Sequence, residues 1–167
     1  MKIEIPEFLS HLPTYRGYPI PYFVPKDENG VYQLKYASQQ KMDACIKYHK
    51  CCVCFKPLIT GQYWFISGPM GFKTQSDSHP PMHEQCAKYS LEVCPHLYFE
   101  KTHRTTDEDN AASWQIREKP KKFYLVRAKD FKAFKPDGVT LIVQYNKIFS
   151  FEEFVYNKGV LNKEVKA

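Results

Sequence analysis

The chain has 167 residues with 24 Lys+Arg against 18 Asp+Glu, long enough to bury a core in one domain or one domain with a small appendage. Its 7 glycines against 12 prolines include neither G-x-G-x-x-G nor G-x-x-x-x-G-K-[ST], which excludes the glycine-rich phosphate loops. The charge is uneven: residues 1–100 carry 10 basic and 9 acidic side chains, 101–120 carry 4 and 4, and 121–167 carry 10 and 5, so the last segment holds +5 of the formal +6.

Residues 13–25 contain Pro13, Pro19, Pro21 and Pro25, which forbid a helix and predict an extended, polyproline-like arm. Tyr15, Tyr18, Tyr22 and Phe23 along it predict that the arm is docked on an apolar surface. Asp27-Glu28-Asn29-Gly30 reads as a turn and Val31–Tyr36 as a short strand. Ser38 is an N-cap for a helix over Gln39–His49, because Met42, Cys45, Ile46 and His49 recur on one face. Tyr63–Ser67 reads as an aromatic strand, Gly68-Pro69-Met70-Gly71 as a turn, and Phe72–Gln75 as the returning strand of a hairpin. Pro80-Pro81 then opens a helix over Met82–Val93 that stops before Pro95.

Residues 101–120, with Asp107-Glu108-Asp109-Asn110 at their centre, read as a polar linker or long loop. Phe123–Phe134 and Val139–Tyr145 are strand-like, joined by a type I turn at Lys135-Pro136-Asp137-Gly138. Ser150-Phe151-Glu152-Glu153 reads as a capping box, and a short helix is expected to run to Asn157 with Gly159 just past its end.

Chemistry concentrates at Cys51-x2-Cys54 and, 28 residues on, His83-x2-Cys86. Two cysteines on a tight knuckle grip one ion, and a His-x2-Cys pair opening a helix points both side chains to the same side. Cys3His is a standard set for one structural zinc, and a helix N-terminus favours a bound thiolate. The order knuckle, hairpin, helix resembles a treble-clef zinc finger. Cys52 reads as a bystander and Cys45 as core. Cys94, further along the helix, is the alternative fourth ligand in place of His83.

A broader pattern adds to this. Arg16-Gly-Tyr-Pro-Ile-Pro-Tyr-Phe-Val24, the Cys51–Cys54 knuckle, Gly68-Pro-Met70, Pro80-Pro-Met-His-Glu-Gln-Cys-Ala87 and Cys94-Pro95 occur in that order. Over roughly residues 16–97 the chain resembles a functionally uncharacterised protein family of phages, prophages and mobile elements. That resemblance implies a zinc site and a mobile-element origin, and no activity. The chain departs from the family at Phe55, where glycine usually follows the knuckle.

The expected fold is α+β: an arm and short strand over 1–37, a treble-clef-like zinc domain over 38–100, the linker over 101–120, and a basic β-hairpin with a short helix over 121–167, packed on the same domain. The expected function is non-enzymatic: a zinc-stabilised binding protein in the bacterial or host-cell cytosol, acting on a host or defence protein. No signal peptide or membrane helix is expected. The first alternative is nucleic-acid binding through Lys121, Lys122, Arg127, Lys129, Lys132 and Lys135, interleaved with Phe131 and Phe134. The second is an HNH-like nuclease drawing on Asp77, His79, His96 and His103, against which stands the lack of a His-Asn-His order.

Overall fold

The computed structural model describes residues 4–98 and 119–164. The architecture is mixed α/β. A short 3-10 turn, Glu7–Leu9, opens the described chain and buries Leu9 completely. The strands β1 (Thr14–Tyr15) and β2 (Tyr18–Pro19) then form a small hairpin around Arg16 and Gly17, both at positive φ. The proline-rich arm is therefore not extended throughout: it folds back on itself at its start, and turns again at Tyr22–Phe23, where Val24 N–H donates to the Pro21 carbonyl (3.1 Å). Its second half is docked: Tyr22 N–H donates to the Val53 carbonyl (2.8 Å) and Phe23 N–H to the Cys52 carbonyl (3.2 Å), with Ile20 and Val24 buried.

Residues Val31–Tyr36 do not make the expected strand. Only Tyr32 pairs, in an isolated bridge with Lys26, because the Asp27 carboxylate collects the N–H groups of Asn29 and Val31 into a local turn. The helix α1 (Gln39–Tyr48) forms as its periodicity predicts. Ser38 accepts the Lys41 N–H at its start, and His49 ends it in the left-handed conformation, φ 56°.

A second departure follows the strand β3 (Tyr63–Ser67). Residues Pro69–Thr74 are a helix, α2, in place of a turn and returning strand. Pro69 suits the first helical turn, and Thr74 Oγ1 donates to the Met70 carbonyl. Phe72 leaves the strand alternation to stack on Tyr124, centroids 4.0 Å apart. The short β4 (Ser76–Asp77) comes next, then Pro80 and Pro81, both fully buried. Met82 is extended and exchanges both backbone hydrogen bonds with Trp64, so α3 runs Glu84–Val93, two residues shorter at its start than expected. A single further turn, α4 (Pro95–Tyr98), closes this half.

The remaining strands are β5 (Lys122–Phe134), β6 (Ile142–Asn157) and β7 (Val160–Lys163). They join the earlier strands in one antiparallel sheet of order β3-β5-β6-β4, with β7 on β6. The capping box at Ser150 is overridden. Ser150 to Val155 pair with Arg127 to Lys122, and a run of Ile148, Phe149, Phe151, Phe154, Val155 and Tyr156 suits a pleated surface better than a helix. Gly159 serves instead in the two-residue β6–β7 turn, where Lys158 (φ 52°) and Gly159 (φ 81°) both need the left-handed region. The Lys135 turn forms, its Gly138 N–H donating to the Lys135 carbonyl (3.1 Å).

The core lies where β3, β5 and β6 meet α1 and α3, with Phe65, Leu91, Leu125, Val126, Val143 and Tyr145 fully buried. The linker expectation over 101–120 and His103 fall almost wholly outside the described residues. So does the side chain of His96, whose backbone lies in α4.

Candidate metal centre

The knuckle is built immediately after α1. Cys51 N–H donates to the Lys56 carbonyl and Phe55 N–H to the Cys51 carbonyl, both 2.9 Å, which folds Cys51–Lys56 into a tight loop. Closing it places Phe55 at φ 58°, a conformation that glycine adopts without cost. Phe55 is retained there with its ring stacked on Tyr22 of the arm, centroids 3.8 Å apart. The other two residues arrive on α3. His83 is its N-cap residue and Cys86 sits in its first turn.

Cys51, Cys54, His83 and Cys86 come together as a compact potential metal site, with one ligand atom from each and all of these within 4.8 Å of one another. The Nδ1 of His83 lies 3.3 Å from Cys54 Sγ and 3.9 Å from Cys86 Sγ. A tetrahedral ion with Zn–S of about 2.3 Å and Zn–N of about 2.0 Å sets its donors roughly 3.5–3.8 Å apart, so the set fits such an ion. The imidazole is oriented for the task. A carbonyl only accepts, so the Pro57 carbonyl 2.8 Å from Nε2 holds the proton on that nitrogen and leaves the Nδ1 lone pair facing the thiols.

The local electrostatics favour thiolate at Cys51. Burial raises the Cys51 thiol, but hydrogen bonds from the Cys54 and Cys86 thiols and from the Cys54 and His83 backbone N–H groups outweigh it and bring Cys51 down to about 3. Cys86 is held up as the proton donor to Cys51 and Cys54, with burial adding to the effect. His83 is raised chiefly by its hydrogen bond to Cys54. Cys45, pushed up to about 12 by burial and then by the charge on Cys51, stays a neutral thiol. Cys52 is raised by its complete burial and gives its weak S–H to the Pro80 carbonyl. Cys94, at the far end of α3, is outside the cluster.

Two supports of this centre carried no signal in the sequence. Pro57 acts through its backbone carbonyl, 26 residues before His83. His11 donates its Nε2–H to the Cys54 carbonyl (2.8 Å), tying the N-terminal segment to the knuckle.

The other candidate residues are dispersed. Asp77 accepts a short hydrogen bond from Ser67, whose Oγ lies 3.1 Å from Tyr145 Oη, and Tyr145 donates to the Gly71 carbonyl (3.2 Å). Burial raises the Asp77 carboxyl, partly offset by His79 and by the Ser67 hydrogen bond. His79 has Nδ1 2.8 Å from the Pro80 carbonyl and Nε2 3.1 Å from the Ile66 carbonyl, so both ring nitrogens are spent on backbone. These groups brace β3, α2 and β4.

Of the six basic residues, Lys135 pairs with Asp43 (2.6 Å), lowering that carboxyl. Lys122 lies over Tyr124, 5.4 Å from its centroid. Arg127 lies between Phe149 (4.6 Å) and Trp64 (6.0 Å), while Lys121, Lys129 and Lys132 are exposed. Phe131 turns inward against Tyr63. Among the described residues no helix is long and apolar enough to cross a membrane.

No protein-family model, curated protein or solved structure matches this chain.

Proposed function

We propose that the protein is a zinc-stabilised binding module whose single zinc is structural. The reading rests on one observation: three cysteines and one histidine converge within 4.8 Å, the number and kind of donors a tetrahedral zinc takes. Four protein ligands leave no position for a substrate or an activated water, so the ion's contribution is to folding. Bound there, zinc staples the loop after α1 to the start of α3, and through the knuckle carbonyls of Cys52, Val53 and Cys54 it also secures the arm and His11.

In this reading the arm, the zinc segment and the β5–β7 strands act as one treble-clef-like unit, with α2 in place of the usual hairpin return. Pairing of β3 with β5 supports that unity. The motif resemblance to phage and mobile-element proteins adds a host or defence protein as partner. The surface it would use is the arm, where Tyr15, Val31, Leu34 and Tyr36 stay exposed around an open groove of about 380 Å³.

Metal analysis of the purified protein tests the zinc reading. One zinc per chain, lost together with cooperative unfolding in Cys51→Ser, supports it. A zinc-free protein with an unchanged melting curve overturns it.

A further inference from the structure

The β5–β6 ladder contains one register shift, and Lys147, two residues before Phe149 on β6, sits in the left-handed region at φ 54°. Arg127 is paired with Ser150 and Ala128 with Ile148, so Phe149 is the extra residue of a bulge in β6. Bulges interrupt a ladder and re-aim the side chain they carry. Here the bulge projects the Phe149 ring into solvent at 70% exposure, and the Arg127 guanidinium lies over that ring, 4.6 Å from its centroid. A phenylalanine left 70% exposed is not required by the core. Lys129 follows Arg127 by two residues on β5 and Lys147 precedes Phe149 by two on β6, both exposed.

Charge sets the kind of ligand. Residues 119–164 hold ten Lys and Arg and five Asp and Glu, a net +5. Three of those five acids have partners here: Glu152 with Lys163 (3.1 Å), Asp137 with the N–H groups of Val139 and Thr140, and Asp130 with the Phe131 N–H (2.9 Å). Lys129, Lys147 and Arg127 have no acidic partner among the described ion pairs. An exposed ring offers a base a π-face, a guanidinium plane offers a second, and flanking lysines attract the phosphates between bases.

We propose that the Phe149 bulge, with Arg127, Lys129 and Lys147, is a binding site for single-stranded nucleic acid. The proposal rests on the binding-module reading above and names a ligand for it on residues other than those of the arm. A base stacks on Phe149 beside Arg127, and the backbone runs along the two lysines. Duplex is disfavoured because its bases present no free face to the ring.

The test is fluorescence anisotropy of labelled oligo-dT and oligo-rU, with a duplex of equal length as control, titrated with full-length zinc-loaded protein from low to physiological salt. Binding should weaken steeply with salt, with a log–log slope of about −2 for three neutralised phosphates on a single strand. Phe149→Ala should weaken binding about tenfold, and a Lys129→Glu/Lys147→Glu double variant should abolish it, each with zinc content and Tm unchanged. No binding at low salt, tighter binding to the duplex, or full binding by Phe149→Ala overturns the proposal, and the first of these gives the face to an acidic protein partner. Because zinc and Tm are read in the same samples, failure here is distinct from failure of the zinc reading.

Discussion

His83 is held between Pro57 and Cys54. Its Nε2 lies 2.8 Å from the Pro57 carbonyl, so its Nδ1, 3.3 Å from Cys54 Sγ, is left as the donor. The knuckle loop thereby orients the histidine that completes its own candidate metal site, although the histidine belongs to a different element. The loop and the start of α3 are coupled even before an ion bridges them.

That coupling gives a prediction for metal loss. Removing zinc with a chelator, or replacing Cys86 with serine, should abolish cooperative unfolding, since the binding energy of a structural ion is folding energy. His83→Ala should be milder than Cys86→Ser, because Cys86 is fully buried and His83 only partly so. Zinc content and thermal unfolding by circular dichroism check both. Equal melting curves for holo and stripped protein would contradict the first expectation.

Phe55 offers a test of the knuckle's backbone. At φ 58° any side chain is strained, and the Tyr22 stack is what compensates phenylalanine. Phe55→Ala loses the stack and keeps the strain. Phe55→Gly loses the stack and relieves the strain. The glycine variant should therefore be the more stable of the two by about 1 kcal/mol in urea unfolding. An alanine variant as stable as the glycine one would show that the backbone there is not strained.

Gly71 is required by close approach. A Cβ on it would stand 2.7 Å from Asp77 Oδ1 and 2.9 Å from the Ser76 carbonyl oxygen. The second contact is backbone and cannot swing aside. Gly71→Ala should cost about 1–3 kcal/mol despite alanine's better helix propensity, and Tyr145→Phe, which strips the hydroxyl from Ser67 and Gly71, about 1–2 kcal/mol. Denaturant midpoints measure both.

Asp77 makes stability depend on pH. Burial raises its folded value above the ordinary range of an aspartate, with His79 and Ser67 pulling the other way. A carboxyl whose folded value is raised contributes most below its unfolded value, and that contribution is lost as pH rises through the folded one. Wild type should therefore lose ground relative to Asp77→Asn from about pH 4 upward, levelling once the folded carboxyl is ionised. Urea unfolding of the pair at several pH values reads the difference. A stability difference that is constant with pH, or that moves in favour of wild type as pH rises, would reverse the assignment.

Local signals carried α1, β3, the body of α3, the Lys135 turn and all four metal-site residues. Ser38 caps one helix, an apolar stripe runs along it, and the Cys-x2-Cys and His-x2-Cys spacings are short-range facts that survive any packing. Two of the failures have a common physical origin. Gly68–Gln75 and Ser150–Asn157 each satisfied a local rule, for a hairpin and for a capped helix, and each was decided by distant partners. Phe72 gained more by stacking on Tyr124 in a helix than by returning as a strand, and β5 offered Ser150–Val155 a full ladder of backbone hydrogen bonds. The tertiary structure alone supplied the Pro57 carbonyl behind His83, the His11 tie to Cys54, and the bulge that turns Phe149 outward under Arg127. Backbone carbonyls and register shifts leave no trace in residue type, so spacing reveals the ligands of a site and only the folded chain reveals what aims them.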